Sequence, residues 1–208
     1  MRTKTEEKRQ AILDVAAATF AELGFERTSM SEICARLGGS KATLYNYFPS
    51  KEGLFLEVMF QASESDFQNT IRALQVHSDN IHATLHRFGE RFLTLLYSPN
   101  VISVRRLLVA EGGRANVGER CWNQGPCRTH AVLTSFFEDA MAKGLLRKTS
   151  ADLMIHHLHA LLEAELMDRF VFQHLPLPTT KEIKSCTDRA IDAFFRLYAP
   201  TPAASASQ

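Results

Sequence analysis

Ser29-Met30-Ser31-Glu32-Ile33-Cys34-Ala35-Arg36-Leu37-Gly38-Gly39-Ser40-Lys41-Ala42-Thr43-Leu44-Tyr45-Asn46-Tyr47-Phe48-Pro49-Ser50-Lys51 reads as two short helices around a glycine turn, with a third helix beginning at its end. Ser29 and Glu32 stand at capping-box spacing. Gly38-Gly39 must end the first helix, Ser40 can cap the second, Pro49 stops it, and Ser50 can cap the next. Two short helices joined by a glycine-containing turn suggest a DNA-reading helix-turn-helix. Such turns are common, so the second helix carries the weight. Leu44 and Phe48, four apart, can anchor it to its own unit. Lys41, Thr43, Tyr45 and Tyr47 offer donors on other faces, and these residue types commonly meet phosphate. Lys51 falls in a helix's first turn, beside the positive end of the macrodipole. An anion held by its ammonium and the open backbone N–H groups would relieve that tension.

Working outward, the chain reads as helices from end to end. No segment alternates apolar and polar residues cleanly, and no Asn-Gly or Asp-Gly hairpin turn appears. Thr3 and Glu6 give a capping-box spacing before a run with Ile12, Ala16, Phe20 and Leu23 on one face, closed by Gly24. After the quoted stretch, the helix capped by Ser50 runs to about His77. Asp79 or Asn80 opens the next, with Ile81, Leu85, Phe88, Phe92 and Leu96. Ser98-Pro99 starts another, which Gly112-Gly113 ends. Gly125-Pro126 breaks the next segment. A helix with Val132, Phe136 and Ala140 on one face then runs to Gly144. Thr149 and Asp152 open a long helix ending near Leu175-Pro176, and Thr179 with Glu182 caps a last one to Tyr198. The expected architecture is all-α. Residues 1–50 form the helix-turn-helix domain, and 51–198 form a larger bundle that 51–77 connects to it. Residues 199–208 form a disordered tail of proline, alanine and serine.

Composition narrows the function. The 208 residues are 45% hydrophobic and 23% charged, with net charge +1. That is ordinary globular composition, and any nucleic-acid site must be local. Four scattered cysteines with no CxxC pair argue against a disulfide scaffold or a structural zinc. The first eight residues lack an apolar core for a signal peptide, and no uncharged run of 18 apolar residues exists. The expectation is a cytoplasmic protein without membrane association. Without GxSxG, a Walker-type loop or HExxH, no enzyme chemistry is indicated. An all-α enzyme or small-molecule carrier with a vestigial helix-turn-helix is the alternative.

Gly24-Phe25-Glu26-Arg27-Thr28-Ser29-Met30-Ser31-Glu32-Ile33, followed by Gly38 to Leu54, resembles the TetR family of bacterial transcriptional repressors over about residues 8–55. Cys34 and Leu37 depart from the family's usual alanine, Gly39 from valine or alanine, and Ala42 from the frequent glycine. Less specifically, Leu107-Leu108-Val109-Ala110-Glu111, Gly125-Pro126 and Ala142-Lys143-Gly144-Leu145-Leu146 resemble the family's AefR-like branch. The resemblance implies a homodimeric regulator, most simply a repressor, that binds a near-palindromic duplex operator. It places Thr28, Ser40, Tyr45, Tyr47 and Lys51 at or near DNA. With the recognition-helix reading, the expected DNA set is Thr28, Ser29, Ser40, Lys41, Ala42, Thr43, Tyr45, Asn46, Tyr47 and Lys51.

The resemblance also implies an effector pocket and a four-helix dimer interface in the C-terminal bundle. Surplus aromatics put Phe88, Phe92, Trp122, Phe136 and Phe137 at that pocket, with Glu111, Arg105 or Arg106 as a polar contact and an apolar or aromatic small molecule as ligand. Close core packing is the competing use of those rings. Leu158, Leu162, Leu166 and Phe170, at four-residue spacing, and Ile191, Phe194 and Phe195 are the candidate dimer residues. Leu153, Leu161 and Met167 are surplus to that stripe. His156, His157 and His159 read as core or interface histidines, with Glu163 available to accept a hydrogen bond from His159. No metal or cofactor is expected. Cys121 and Cys127, flanking Gly125-Pro126, could be redox-active but more simply are inert thiols.

Overall fold

The computed structural model describes residues 4–75, 80–113 and 116–200. Thr3, His77, Asp79 and the tail beyond Pro200, on which some expectations fall, lie outside the described residues. Eleven helices and no strand occur among the described residues: α1 Lys4–Arg27, α2 Met30–Leu37, α3 Lys41–Tyr47, α4 Lys51–Gln75, α5 Ile81–Leu96, α6 Pro99–Glu111, α7 Val117–Gln124, α8 Pro126–Ala142, α9 Ala151–Glu163, α10 Met167–Phe172 and α11 Thr180–Tyr198. The all-α reading is met. None of these helices is long and apolar enough to cross a membrane.

The boundaries follow local chemistry. Gly24 interrupts α1 with φ +77°, a conformation costly for any residue with a Cβ. Ser29, Ser40, Asn80, Ser150 and Thr179 each accept a backbone N–H at a helix start. Thr179 and Glu182 form the full reciprocal box. Two expectations are corrected. The cap of α9 is Ser150 rather than Thr149. The long helix expected up to Leu175 is broken at residues 164–166 into α9 and α10. No glycine or proline marks that break. Glu163 accepts the Tyr97 hydroxyl at 3.0 Å, while Glu165, two residues on, meets Arg189 at 2.7 and 2.6 Å. In a regular helix, side chains two apart project in opposing directions, about 200° around the axis.

The chain falls into two compact units. The first runs to Glu64 and takes in Ser103–Gln124; the second is Ser65–Ile102 with the chain from Gly125 onward. Ile12, Leu13, Ala16, Phe20, Ile33, Leu44, Phe48 and Leu54 make the core of the first, joined by Leu107, Val117 and Cys121. In the second, α11 packs against α5 and α9, and α8 against α9. Its core holds Phe88, Leu93, Leu133, Phe137, Leu158, Leu162, Ile191 and Phe194. The buried stripe of α8 is Thr129, Leu133, Phe137 and Ala140, one position from the face expected. Val132 and Phe136 are half-buried at its edge.

Candidate nucleic-acid interface

The reading helix is built by burying one side of seven residues. Leu44 is 0% exposed and Phe48 2%, so both belong to the first unit's core. Lys41, Ala42, Tyr45 and Asn46 are consequently exposed on the other side. Ser40, also exposed, holds the helix start: its Oγ accepts from the Thr43 N–H at 3.1 Å and meets the Thr43 hydroxyl at 2.9 Å. Thr43 is thereby half-buried and oriented. Tyr47 is half-buried against the core and, with Thr5, Glu7, Lys8 and Ala11, lines an open cleft of about 520 Å³.

The turn before α3 is held by Gly38 and by the Cys34 thiol, one of the departures from the family pattern. Gly38 is left-handed at φ +70°, and its N–H closes on the Cys34 and Ala35 carbonyls. The buried Cys34 thiol donates to the Gly39 carbonyl at 3.2 Å. A Cβ on Gly39 would meet only Leu37, at 3.7 Å, so valine or alanine would fit there. Arg36 bridges α2 to α1, donating to Glu22 at 2.6 and 3.2 Å and to Glu32 at 2.7 Å. The guanidinium holds the Glu22 carboxyl below its usual range. Glu32 thus serves Arg36, while Ser29 still caps through the Glu32 N–H at 3.1 Å.

Two of the expected DNA residues are placed otherwise. Thr28 is 2% exposed and donates its hydroxyl to the Gly24 carbonyl at 2.7 Å; its neighbour Ser29 is exposed. Lys51 satisfies its first-turn ammonium inside the protein. Its Nζ donates to the Phe25 carbonyl at 3.0 Å and lies 4.1 Å from the Phe25 ring centre. An ammonium has three donors, so outward capacity remains.

The candidate effector residues do not form one group. Phe88 and Phe137 are fully buried, and Phe92 and Phe136 half-buried, in the second unit. They pack ring on ring: Phe88 with Phe92 at 5.6 Å, Phe136 with Phe137 at 5.6 Å, and Phe137 with Phe194 at 5.5 Å. Glu111 and Trp122 belong to the first unit, and Trp122 is 49% exposed, turned to solvent rather than into a core. Burial pushes the Cys121 thiol up to about 11, so it is protonated at neutral pH, whereas Cys127 is exposed.

The dimer stripe is corrected as well. Leu158, Leu162, Leu166, Ile191 and Phe194 are at most 1% exposed within their own chain, and Phe170 and Phe195 pack against the same core. The reason is that α9 lies against both α8 and α11, so its apolar stripe is consumed at home. Leu153 and Met167 are the exposed surplus, with Val171, Phe172 and Leu197; Leu161 is half-buried against the core.

The histidines are distributed among partners. His157 meets the Tyr198 hydroxyl at 2.6 Å, while His130 and His156 meet Asp152 at 2.8 and 3.5 Å. No group of three or more His, Cys, Asp or Glu that could hold a metal occurs among the described residues.

A helix-turn-helix with an outward polar face, in a chain helical throughout, defines a DNA-binding transcriptional regulator. The description "Bacterial regulatory proteins, tetR family" matches residues 12–58, and "AefR-like transcriptional repressor, C-terminal domain" matches residues 83–200, more than half of the chain. The chain belongs to the TetR family. It is 44% identical over 54 residues to the HTH-type transcriptional regulator RutR of Escherichia coli K12, a match spanning 26% of each protein. It is 33% identical over 86 residues to QacR of Staphylococcus aureus, covering 41% of this chain and 45% of that one. The chain thus spans a quarter to under half of these relatives' length. Two solved structures are similar over nearly their whole length. A TetR-family regulator from Mesorhizobium loti is 26% identical with TM-score 0.79, covering 95% of this chain and 100% of that one. The Flavonoid-responsive Regulator FrrA is 27% identical with TM-score 0.70, covering 94% and 98%. Regulators of this family bind DNA and act as dimers.

Proposed function

We propose that this protein is a ligand-responsive repressor that binds a near-palindromic operator as a homodimer, each subunit presenting residues 40–47 to a major groove. The observation that carries the reading is the outward face of α3, where Lys41, Ala42, Tyr45 and Asn46 are exposed above the buried Leu44 and Phe48. Ser29, Ser40, Thr43 and Tyr47 flank that face, and Lys51 supports it from the start of α4. Lys41, Ala42, Thr43 and Asn46 are assigned to base edges; Ser29, Ser40, Tyr45, Tyr47 and Lys51 to the backbone. The subunits pair through α9, α10 and α11 by the exposed Leu153, Met167, Val171, Phe172 and Leu197. The match to an AefR-like repressor domain supports repression, and the near-full-length similarity to FrrA supports a planar aromatic effector. The effector acts within the second unit, and α4, which begins beside the recognition helix, carries its effect.

Selection of bound fragments from genomic DNA tests this. The expected product is a two-fold site with half-sites about 34–36 Å apart or a multiple of that, bound with an affinity that falls steeply as salt rises. Tyr45→Ala with Lys51→Ala weakens binding across all sequences. Unchanged affinity in the double variant removes the recognition-helix assignment.

A further inference from the structure

Two polar atoms in the interior of the second unit have no hydrogen-bond partner: His159 Nε2 and Thr187 Oγ1. Thr187 is 0% exposed. Its orphan hydroxyl contrasts with five other helical threonines: Thr19, Thr70, Thr84, Thr94 and Thr134 each return the hydroxyl to the carbonyl four residues back, at 2.7 to 3.2 Å. That local bond is open to any threonine inside a helix. At Thr187 no such bond is made. A buried donor–acceptor without a partner marks a place where something else belongs.

The two atoms lie along one seam. Gly89 and Phe92 stand one turn apart on α5, and His159 and Leu162 one turn apart on α9. The Phe92 and His159 rings stack with centres 4.9 Å apart and planes within 1°. A Cβ on Gly89 would come within 2.8 Å of Thr187 Cγ2 and 2.9 Å of Leu162 Cδ2. Gly89 therefore faces Leu162 and Thr187, and Phe92 faces His159. The contact of Gly89 with Thr187 and the stack of Phe92 on His159 thus lie about one helical turn apart along α5. Phe88 stacks on Phe92, so the wall beside them is aromatic.

We propose that His159 Nε2 and Thr187 Oγ1 are the polar anchors of the effector site, and that the effector is an uncharged, planar, hydroxylated aromatic molecule. This rests on the ligand-responsive reading above and gives that site its residues. The Phe88 and Phe92 rings make the wall beside the site apolar, and the two anchors meet hydroxyl or carbonyl groups of the ligand. Burial, with His156 and His130 nearby, lowers His159 to about 4, so its imidazole is neutral at physiological pH and can donate or accept. A neutral imidazole and a hydroxyl suit a phenol or ketone and offer a carboxylate no countercharge. The sequence reading chose Glu111 or an arginine as the anchor. It missed Thr187 because a threonine in a helix ordinarily satisfies itself.

The test compares wild type, Thr187→Val and His159→Phe by thermal unfolding without ligand and by calorimetric titration with the flavonoid quercetin and with unsubstituted flavone. Without ligand, Thr187→Val raises the melting temperature by about 2 °C, because an apolar isostere replaces an unsatisfied hydroxyl. Each variant binds quercetin about tenfold more weakly than wild type, and wild type prefers quercetin to flavone by a similar factor. A lowered melting temperature in Thr187→Val means that the hydroxyl is already satisfied and overturns the proposal. So does equal quercetin affinity in all three proteins, or no binding of quercetin by wild type. The broader reading fails differently: a fragment-selected operator is then released by no compound in a chemically varied screen. Release with equal potency in all three proteins leaves that reading standing and removes only the anchors.

Discussion

Thr28 and Thr187 are buried to the same depth in different units, and they use their hydroxyls in opposite ways. Thr28 donates to Gly24, and around it the Cys34 thiol, the Lys51 ammonium and the Arg36 guanidinium all end on partners in the same unit. Thr187 and His159 end on nothing. A reading head must hold one shape, because a base contact displaced by a fraction of a hydrogen bond is lost, and the Thr28, Cys34, Lys51 and Arg36 donors all add to that rigidity. Capacity left open in the second unit is what the effector site proposed above would use.

The largest effect expected separates core from interface in the second unit. Phe194→Glu or Leu162→Glu puts an unpaired charge into the subunit's own core and costs several kcal/mol, giving aggregated or unfolded protein. Leu153→Glu or Met167→Glu, on exposed surplus, keeps the helical circular dichroism of wild type and sediments as a monomer. Folded, dimeric Phe194→Glu protein would abolish the distinction. Next comes pH. His159 is lowered in the folded state, so the unfolded chain binds the extra proton first. Stability from its neutral burial is complete above about pH 6.5 and is lost as pH falls toward about 4, by at most about 3 kcal/mol. His159→Phe flattens the stability curve over that window in denaturant titrations; an unaltered slope would mean that the ring is not what the acid reaches. Smaller still is the contrast between threonines. Thr28→Val loses about 1 kcal/mol because the Gly24 carbonyl is left without its donor, opposite in sign to Thr187→Val. The smallest effect on stability, within about 0.5 kcal/mol, belongs to Lys41→Ala on the exposed face. Its signature is altered preference at particular base positions in a selected-sequence assay.

What the sequence made legible was whatever depends on near neighbours. Ser29, Ser40, Asn80 and Thr179 cap where their spacing to the next backbone N–H groups says they should. Leu44 and Phe48 are buried because a four-residue spacing on a short helix leaves them one side. What stayed hidden depends on distant parts of the chain. The break at residues 164–166 comes with ties from Glu163 to Tyr97 and Glu165 to Arg189, neither visible as a local pattern. The stripe of Leu158, Leu162 and Leu166 was legible as buried but not as to what buries it. A bundle core and a dimer seam draw on the same residue types at the same spacing. Trp122 is one of the surplus aromatics of the bundle segments, and its exposure shows how weak a guide ring content is outside a periodic stripe.

The hydrogen bond from Lys51 to the Phe25 carbonyl has a mechanical meaning. It fastens the first turn of α4 to the end of α1, while Arg36 fastens α2 to Glu22 on α1. The chain entering the recognition helix is tied to α1 before the Gly24 interruption, and the chain leaving it to the residues just after, so both flanks of α3 are held. Ties of this kind favour motion of the head as a block over reshaping of the surface that touches a base pair. An inducer working through such a head would abolish tight binding to the two-fold site while leaving the grip of one head on an isolated half-site as it was.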